Sequence, residues 1–176
     1  MTHTIICGTS KSRSEDGYYI KEKDKFWGLI HAAGVTSRQL MPGEYREFQQ
    51  YGFCIFELVS TIIPQDKLIP LNDKQKNEIL NTPKEIASRN PNRVFFNGKK
   101  AAEWYLQALV RGNIRKKGYP LTKNLNYGKQ TDLNQKFNLD LKYDIFILPN
   151  TSGSASRYWN REKWLEAWKE CLEDIS

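Results

Sequence analysis

The sequence predicts an α/β fold, a three-layer α/β/α sandwich with a central, mainly parallel sheet. Short apolar stretches typical of buried strands alternate along the chain with longer amphipathic stretches typical of helices. Strands that alternate with helices build parallel sheets covered on both faces, and such sheets bind ligands at the carboxyl ends of their strands. We therefore expect a functional site where the predicted strands end.

Apolar runs and their end signals define the first elements. Thr4–Cys7 predicts a short buried strand that ends at Gly8. A helix over Lys25–Ala33 carries one apolar face, and Gly34 is a natural C-terminal stop. Pro42–Gln50 predicts a second helix, because proline is tolerated at the first helical position.

The middle of the chain is less uniform. Phe53–Val59 fits either a strand or an apolar helical turn, and periodicity alone leaves both open. Asp73–Ser88 predicts a polar amphipathic helix, in which Pro83 should cause a kink or a break near Thr82. Arg93–Phe96 predicts the next strand.

The last third contains one helix, a long basic stretch, a strand and a final helix. The turn 97–100 leads into a helix over Ala101–Leu109, and Val110–Lys142 gives no clear prediction. Tyr143–Leu148 predicts the last strand, followed by a loop and the helix Asn160–Asp174. The predicted buried stripe of that helix consists of Trp164, Ala167, Trp168, Cys171 and Leu172.

Length and charge limit the class of protein. The 176 residues fit one domain spanning positions 1–176. Lys plus Arg number 27 against 20 Asp plus Glu, a net charge of +7 with a pI near 9.2. Such a charge suits a polyanionic partner such as nucleic acid, although it also serves solubility alone.

The sequence predicts no cofactor, no metal and no membrane partner. Gly8 is followed by neither of the common glycine-rich nucleotide motifs, and the three cysteines lie far apart without metal-ligand spacing. No apolar run approaches the roughly 20 residues of a membrane span. Met1 leads directly into the first strand, with no signal-peptide pattern. We expect a monomeric, cytoplasmic protein with reduced thiols.

Several separated segments carry a resemblance. Ile5–Ser10, then Tyr18-Tyr19 and Asp24–Trp27, resemble a strand that ends in G-x-N-P-G and an aromatic residue that precedes N-R-F-W. Ala33–Pro42 is similar to A-G-x-T-x-R-x-L-x-P, and Leu148–Arg157 resembles L-P-N-P-S-G-x-S-R. These are motifs of the uracil-DNA glycosylase superfamily, in its mismatch-specific uracil and thymine branch.

The resemblance implies a monofunctional DNA glycosylase. Such an enzyme flips a base out of double-stranded DNA and hydrolyses the N-glycosidic bond of uracil, mispaired thymine or a modified pyrimidine, leaving an abasic site. Asn150 suits a base edge because its amide both donates and accepts hydrogen bonds, and Tyr19 would stack on the base. The residues expected to bind the base are Thr9, Tyr19, Phe26 and Asn150. Those expected to bind DNA are Lys11, Lys99, Ser152, Gly153, Ser154, Ser156 and Arg157.

The sequence departs from these motifs where catalysis is expected. Ser10 replaces the asparagine that positions water in the family, and Lys11 replaces the proline after it. Ser10 can hold a water but needs help to activate it. Asp24 replaces the asparagine of N-R-F-W and is the leading catalytic candidate, although a role as the cap of the helix that begins at Lys25 explains it equally well. Glu15 and Asp16 are further carboxylates in the same loop.

Several alternatives remain open at this point. The altered first motif is compatible with excision of hypoxanthine or a bulky modified base, or with a DNA-binding module that has lost catalysis. A nucleotide or flavin enzyme is disfavoured by the missing phosphate loops. Tyr19 as a core residue, Asn150 as a turn residue and Lys99 as a solvated surface cation are the corresponding structural interpretations.

Overall fold

A computed structural model describes residues 4–10, 17–19, 25–61, 71–114, 121–151 and 161–173. The strands within these ranges are β1 (Thr4–Gly8), β2 (Phe53–Glu57), β3 (Arg93–Asn97), β4 (Gly128–Gln130) and β5 (Asp144–Leu148). The α-helices are α1 (Phe26–Ala32), α2 (Asp73–Ser88), α3 (Lys99–Arg111), α4 (Leu133–Phe137) and α5 (Arg161–Glu173), and Pro42–Tyr51 forms a 3₁₀ helix.

The strands form one sheet in the order β2-β1-β3-β5-β4. β1, β2, β3 and β5 are mutually parallel, and β4 pairs antiparallel with β5 at one edge. In the register of the sheet, Gly8 lies opposite Glu57 and Asn97 lies opposite Leu148. The prediction of a mainly parallel central sheet in an α/β sandwich is therefore confirmed.

Alternate residues of each strand point to opposite faces, and each face has its own core. Ile5 and Cys7 pack with α2 and α3, and we call this cluster the α2–α3 core. Ile6 and Phe95 pack with α1, the 3₁₀ helix and α5, and we call this cluster the α1–α5 core. Trp168 is fully buried in the α1–α5 core and meets Phe95 edge to face, with ring centroids 5.6 Å apart.

The predicted break in the helix near Thr82 is wrong, because α2 runs without interruption through Pro83. Ile79 and Ile86, on either side of the proline, are both completely buried in the α2–α3 core. Tertiary packing of such an apolar face outweighs the one hydrogen bond that the proline removes. Asn72 also closes a capping box at the start of the helix.

The ambiguous and unpredicted segments acquire defined structure. Phe53–Val59 contains the strand β2, and α3 begins at Lys99, inside the expected turn. The basic stretch after α3 contains β4 and α4, neither of which was predicted. None of the helices within the described ranges is both long and apolar enough to cross a membrane.

Candidate active site at the carboxyl ends of the strands

Two of the resembling motifs end at the same edge of the sheet. Thr9 and Ser10 follow β1 directly, and Asn150 follows β5. β1 and β5 both run parallel to β3, one on each side of it. Because neighbouring strands are about 4.8 Å apart, the two ends lie about 10 Å from each other. Ser10 and Asn150 thus lie at one edge, as the fold prediction required.

Asn97, the last residue of β3, fixes the loop that carries Asn150. The Asn97 amide donates to the Thr151 hydroxyl, and the Thr151 backbone N–H donates to Asn97 Oδ1, both at 3.0 Å. Both side chains are buried, with 5% and 3% of their surface exposed. The Trp164 indole N–H donates to the carbonyl oxygen of Pro149 at 2.9 Å. The backbone on both sides of Asn150 is therefore held in place.

Asn150 lies directly against Gly98. A Cβ atom on Gly98 would stand 3.0 Å from the Asn150 Cβ and 3.2 Å from its amide nitrogen. Gly98 also has a φ of +105°, in the left-handed region that favours glycine. The turn at the end of β3 thus leaves space that the Asn150 side chain occupies.

The two motif regions contact each other through Thr151. The Thr151 carbonyl oxygen accepts a 3.5 Å hydrogen bond from the backbone N–H of Lys25, immediately before α1. α1 in turn holds the segment before it, since the Trp27 indole N–H donates to the Tyr18 carbonyl at 3.0 Å. These two hydrogen bonds link Thr151 to the start of α1, and α1 to Tyr18, across long distances in the sequence.

Tyr19 and Phe26 form a stacked pair. Their ring centroids are 4.0 Å apart with an interplanar angle of 19°. We expected Phe26 to contact the base directly, but its ring is completely buried in the α1–α5 core and lies beneath the partly exposed Tyr19. Phe26 therefore supports the tyrosine. Tyr19 also has a φ of +56°, which costs a non-glycine residue roughly 1–2 kcal/mol.

Glu57 is a site residue that sequence reasoning missed. It ends β2, and its carboxylate oxygens lie 2.5 and 2.7 Å from where a Cβ on Gly8 would stand. Burial, and then the charge of Glu57, raise the pKa of the Cys7 thiol. The same two causes, in the same order, raise the pKa of the Tyr18 hydroxyl. A sequence signal existed, because Glu57 directly follows the apolar residues 53–56. It was missed because this run was not assigned to a strand.

Lys99 begins α3, beside the turn that contacts Asn150. Its ammonium lies 5.0 Å from the centroid of the Tyr127 ring, a cation–π distance. Lys100 makes a similar contact with Trp104 at 4.8 Å. Two cations thus extend the carboxyl edge of the sheet along the start of one helix.

The other expected site residues lie outside the described residues. They are Lys11, Asp24, Ser152, Gly153, Ser154, Ser156 and Arg157, together with the alternative carboxylates Glu15 and Asp16. Their parts in binding and catalysis remain predictions from the sequence.

The described residues hold no group of three His, Cys, Asp or Glu side chains that would bind a metal ion. A cavity of about 470 Å³ opens at the other edge of the sheet, where Lys129 and Tyr143 border the start of β5. Its lining is open and polar, and it shares no residue with the edge that carries Asn150 and Glu57. We therefore assign the candidate site by its chemistry rather than by cavity size.

Chemically, the carboxyl edge combines a stacking ring, a two-way hydrogen-bonding amide, a hydroxyl and a carboxylate. These groups belong to Tyr19, Asn150, Ser10 and Glu57. Together they suit a planar heterocycle with a polar edge better than they suit a phosphate or a metal.

No protein-family model matches the sequence.

Proposed function

We propose that the protein is a monofunctional DNA glycosylase that hydrolyses the N-glycosidic bond of a base flipped out of double-stranded DNA. The observation that carries the proposal is the contact between the two motif regions, through Asn97, Thr151 and Lys25, at the carboxyl edge of the sheet. The protein acts as a monomer in the cytoplasm, and its reaction leaves an abasic site. Such chemistry needs neither a metal nor a covalent lysine.

Tyr19 and Asn150 bind the flipped base. Tyr19 provides a ring that Phe26 holds from behind, and stacking of a base on such a ring contributes about 1–3 kcal/mol. Asn150 contacts the polar edge of the base, since its amide donates as well as accepts. Thr9, partly buried after β1, completes this side of the site.

Ser10 holds the attacking water near the anomeric carbon. A hydroxyl orients water but is a poor base, so a carboxylate must assist it. Asp24 is the candidate from the sequence, and its negative charge would also stabilise the oxocarbenium-like transition state. Capping of the helix is the competing role expected for Asp24, but α1 begins at Phe26 and its N-cap position is Lys25, one residue later than that role requires.

Phosphate binding positions the duplex. Lys99 and Lys100, at the start of α3, lie at the same edge as the site. Lys11, Ser152, Gly153, Ser154, Ser156 and Arg157 extend this contact by resemblance. Such contacts orient the protein on DNA and carry no sequence information.

A second candidate function is binding of DNA without catalysis. Ser10, in place of the expected asparagine, favours it, because the water-positioning amide is missing. Under this alternative the protein recognises an altered base and leaves every glycosidic bond intact.

One experiment separates the two functions. Duplexes that each carry one uracil, mispaired thymine, hypoxanthine or modified cytosine are incubated with an excess of the protein and then cleaved at abasic sites with alkali. A strand break at the altered position supports the glycosylase. Retained binding with no break at any base supports the binding module.

A further inference from the structure

The net positive charge of the chain is concentrated in one segment. Residues 99–142, which begin with α3 and end just before Tyr143, contain ten Lys and Arg against three Asp and Glu. The rest of the chain contains 17 Lys and Arg and 17 Asp and Glu, so this basic segment alone accounts for the net charge of +7. A charge that serves solubility alone needs no such concentration, whereas a surface for a polyanion does.

Glu103 fixes part of the basic segment to α3. Its carboxylate accepts hydrogen bonds from the backbone N–H groups of Leu121 and Thr122, at 3.0 and 2.7 Å, and from the Thr122 hydroxyl at 2.9 Å. Thr122 and Leu125 are buried, whereas Tyr127, which follows them, is exposed. The charge of Glu103 is thereby engaged within the protein, and the chain that leads to Tyr127 is held against the helix.

Tyr127 lies at the carboxyl edge of the sheet, beside β5. In the antiparallel register of β4 and β5, Gly128 lies opposite Ile147, so Tyr127 lies at the level of Leu148, the last residue of β5. Neighbouring strands are about 4.8 Å apart. Because Asn150 follows the end of β5 by two residues, Tyr127 stands at the edge that carries Asn150.

Lys99 connects Tyr127 to Asn150. The Lys99 ammonium lies 5.0 Å from the centroid of the Tyr127 ring, and Lys99 directly follows Gly98. A Cβ on Gly98 would stand 3.0 Å from the Asn150 Cβ. Short distances thus join an aromatic ring, a cation and the amide that is expected to bind the base, and all three belong to one region of the carboxyl edge.

Tyr127 is exposed to solvent within this basic region. Tyr127 and Met41 are the two large apolar side chains exposed among the described residues, at 38% and 61%. Single exposed apolar residues are common, so exposure alone carries no argument. Met41 lies outside the basic segment, before the 3₁₀ helix, whereas Tyr127 stands next to a cation. Proteins bind single strands by this combination, because bases stack on the ring while cations contact the phosphates.

Base pairing decides whether DNA can use such a ring. In a duplex the faces of the bases are stacked on one another, and a protein meets the phosphates and the base edges in the grooves. In an unpaired strand the faces of the bases become available, and they stack on aromatic side chains with little dependence on sequence. The lysines therefore fit either form of DNA, whereas the Tyr127 ring fits a strand with unpaired bases.

We propose that Lys99, Lys100 and Tyr127 bind an unpaired stretch of DNA beside the candidate site, with one base stacked on the Tyr127 ring and phosphates at the two lysines. The inference rests on the proposed function in taking DNA as the partner, but it does not depend on catalysis. The Lys99 ammonium lies over one face of the ring, so the base uses the part of the ring that is exposed to solvent. Lys100, in the first turn of α3, provides the second cation. The preferred substrate of the glycosylase is then DNA in which bases next to the target are unpaired.

The test measures equilibrium binding of three labelled ligands by fluorescence anisotropy. They are an oligodeoxythymidine of about 15 nucleotides, an oligomer of abasic nucleotides of the same length, and a duplex of that length. The abasic oligomer has the same phosphates without the bases, so it separates stacking from charge. The variants are Tyr127→Ala, Tyr127→Phe and Lys99→Ala. The controls are Met41→Ala and Lys74→Ala, at exposed positions outside the basic segment.

We expect the wild type to bind the oligodeoxythymidine roughly tenfold more tightly than the abasic oligomer, the scale of one stacked base. Tyr127→Ala should remove this preference, and Tyr127→Phe, which keeps the ring, should retain it. Lys99→Ala should weaken binding of all three ligands, because each carries phosphates. Both controls should keep the affinities of the wild type.

Equal binding of the two oligomers by the wild type would overturn the inference, and so would a Tyr127→Ala variant that keeps the preference. Either result, together with excision of a base from the duplexes described above, would leave the proposed function intact. A preference for the oligodeoxythymidine that depends on Tyr127, without excision of any base, would support the inference and remove catalysis from the proposed function. A wild type that binds none of the three ligands would overturn both.

Discussion

Asn97 and Thr151 hold each other through two hydrogen bonds of 3.0 Å, one in each direction, across the ends of β3 and β5. The side-chain amide of Asn97 pairs with two groups of Thr151, its backbone N–H and its hydroxyl. The pair is buried, so neither residue can exchange its partner for water without local opening. The position of Asn150, one residue before Thr151, depends on it.

Replacing Asn97 with alanine should loosen the site more than the fold. Both groups of Thr151 lose their partner while buried, so we expect a loss of about 1–3 kcal/mol in the free energy of unfolding. The excision rate should fall further than this loss explains, because Asn150 is no longer positioned. Urea unfolding and single-turnover kinetics measure the two effects. Asn113→Ala, at an exposed position, is the control. Full activity in Asn97→Ala would show that Asn150 needs no such support.

Binding to DNA should weaken steeply with salt. A protein with a net charge of +7 releases counterions from the phosphates that it contacts, with a log–log slope of about 0.9 per phosphate on duplex DNA. Lys99→Ala and Lys100→Ala should each reduce the slope by about 0.9, the contribution of one phosphate contact. Lys74→Ala, at an exposed position on α2, should leave the slope unchanged. Fluorescence anisotropy at several salt concentrations gives the slopes. A flat response would argue against DNA as the partner.

Replacing Asp24 with asparagine distinguishes its two expected roles. If the carboxylate assists Ser10 in activating water, the single-turnover rate should fall roughly 100-fold, while binding of an abasic-site duplex persists. Asparagine caps a helix about as well as aspartate does, so a purely capping residue would leave rate and stability unchanged. An Asp24→Asn protein with full single-turnover activity therefore eliminates the catalytic role.

The stability that Glu103 contributes should depend on pH. Burial alone would raise the pKa of its carboxyl group, but hydrogen bonds from Gln107, Leu121 and Thr122 outweigh burial and hold that pKa below its ordinary value. A lowered pKa in the folded state means that the contribution is complete above the unfolded value of about 4.3. It is lost as the pH falls through the folded value.

Glu103→Gln should consequently cost about 1–3 kcal/mol in the free energy of unfolding at pH 7, and clearly less at pH 3. Urea unfolding at the two pH values measures the difference. The exposed variant Glu85→Gln should show no comparable pH dependence. Equal losses from Glu103→Gln at both pH values would show that the ionised carboxylate of Glu103 is not the form that stabilises the fold.

Those elements that bury a continuous apolar run could be predicted from the sequence. β1, β3 and β5 lie within about one residue of the predicted bounds, because their side chains fill the two cores. β4 could not be predicted, since three residues have no measurable periodicity and are held by pairing with β5. The 3₁₀ form of Pro42–Tyr51 was missed because ten residues do not separate a period of 3.0 from one of 3.6.

The candidate site divides in the same way. Thr9, Ser10 and Asn150 could be placed from the sequence, because they follow predicted strands directly and parallel strands end at a common edge. Asn97 and Glu57 could not, because their contacts with Thr151 and Gly8 join positions far apart in the chain. Phe26 was expected to touch the base from the resemblance, although its place on the apolar face of the predicted helix favours the burial behind Tyr19 that the structure has.

The left-handed backbone of Tyr19 affects how any planar ligand would bind. A residue keeps such a conformation only where its surroundings hold it, and here Phe26 lies flat beneath the ring. The free-energy cost of this backbone conformation is therefore already included in folding, before a ligand binds. Under the proposed function, an incoming base would find a rigid, pre-organised platform and avoid the entropy loss, about 0.5–1.5 kcal/mol, of immobilising a free side chain.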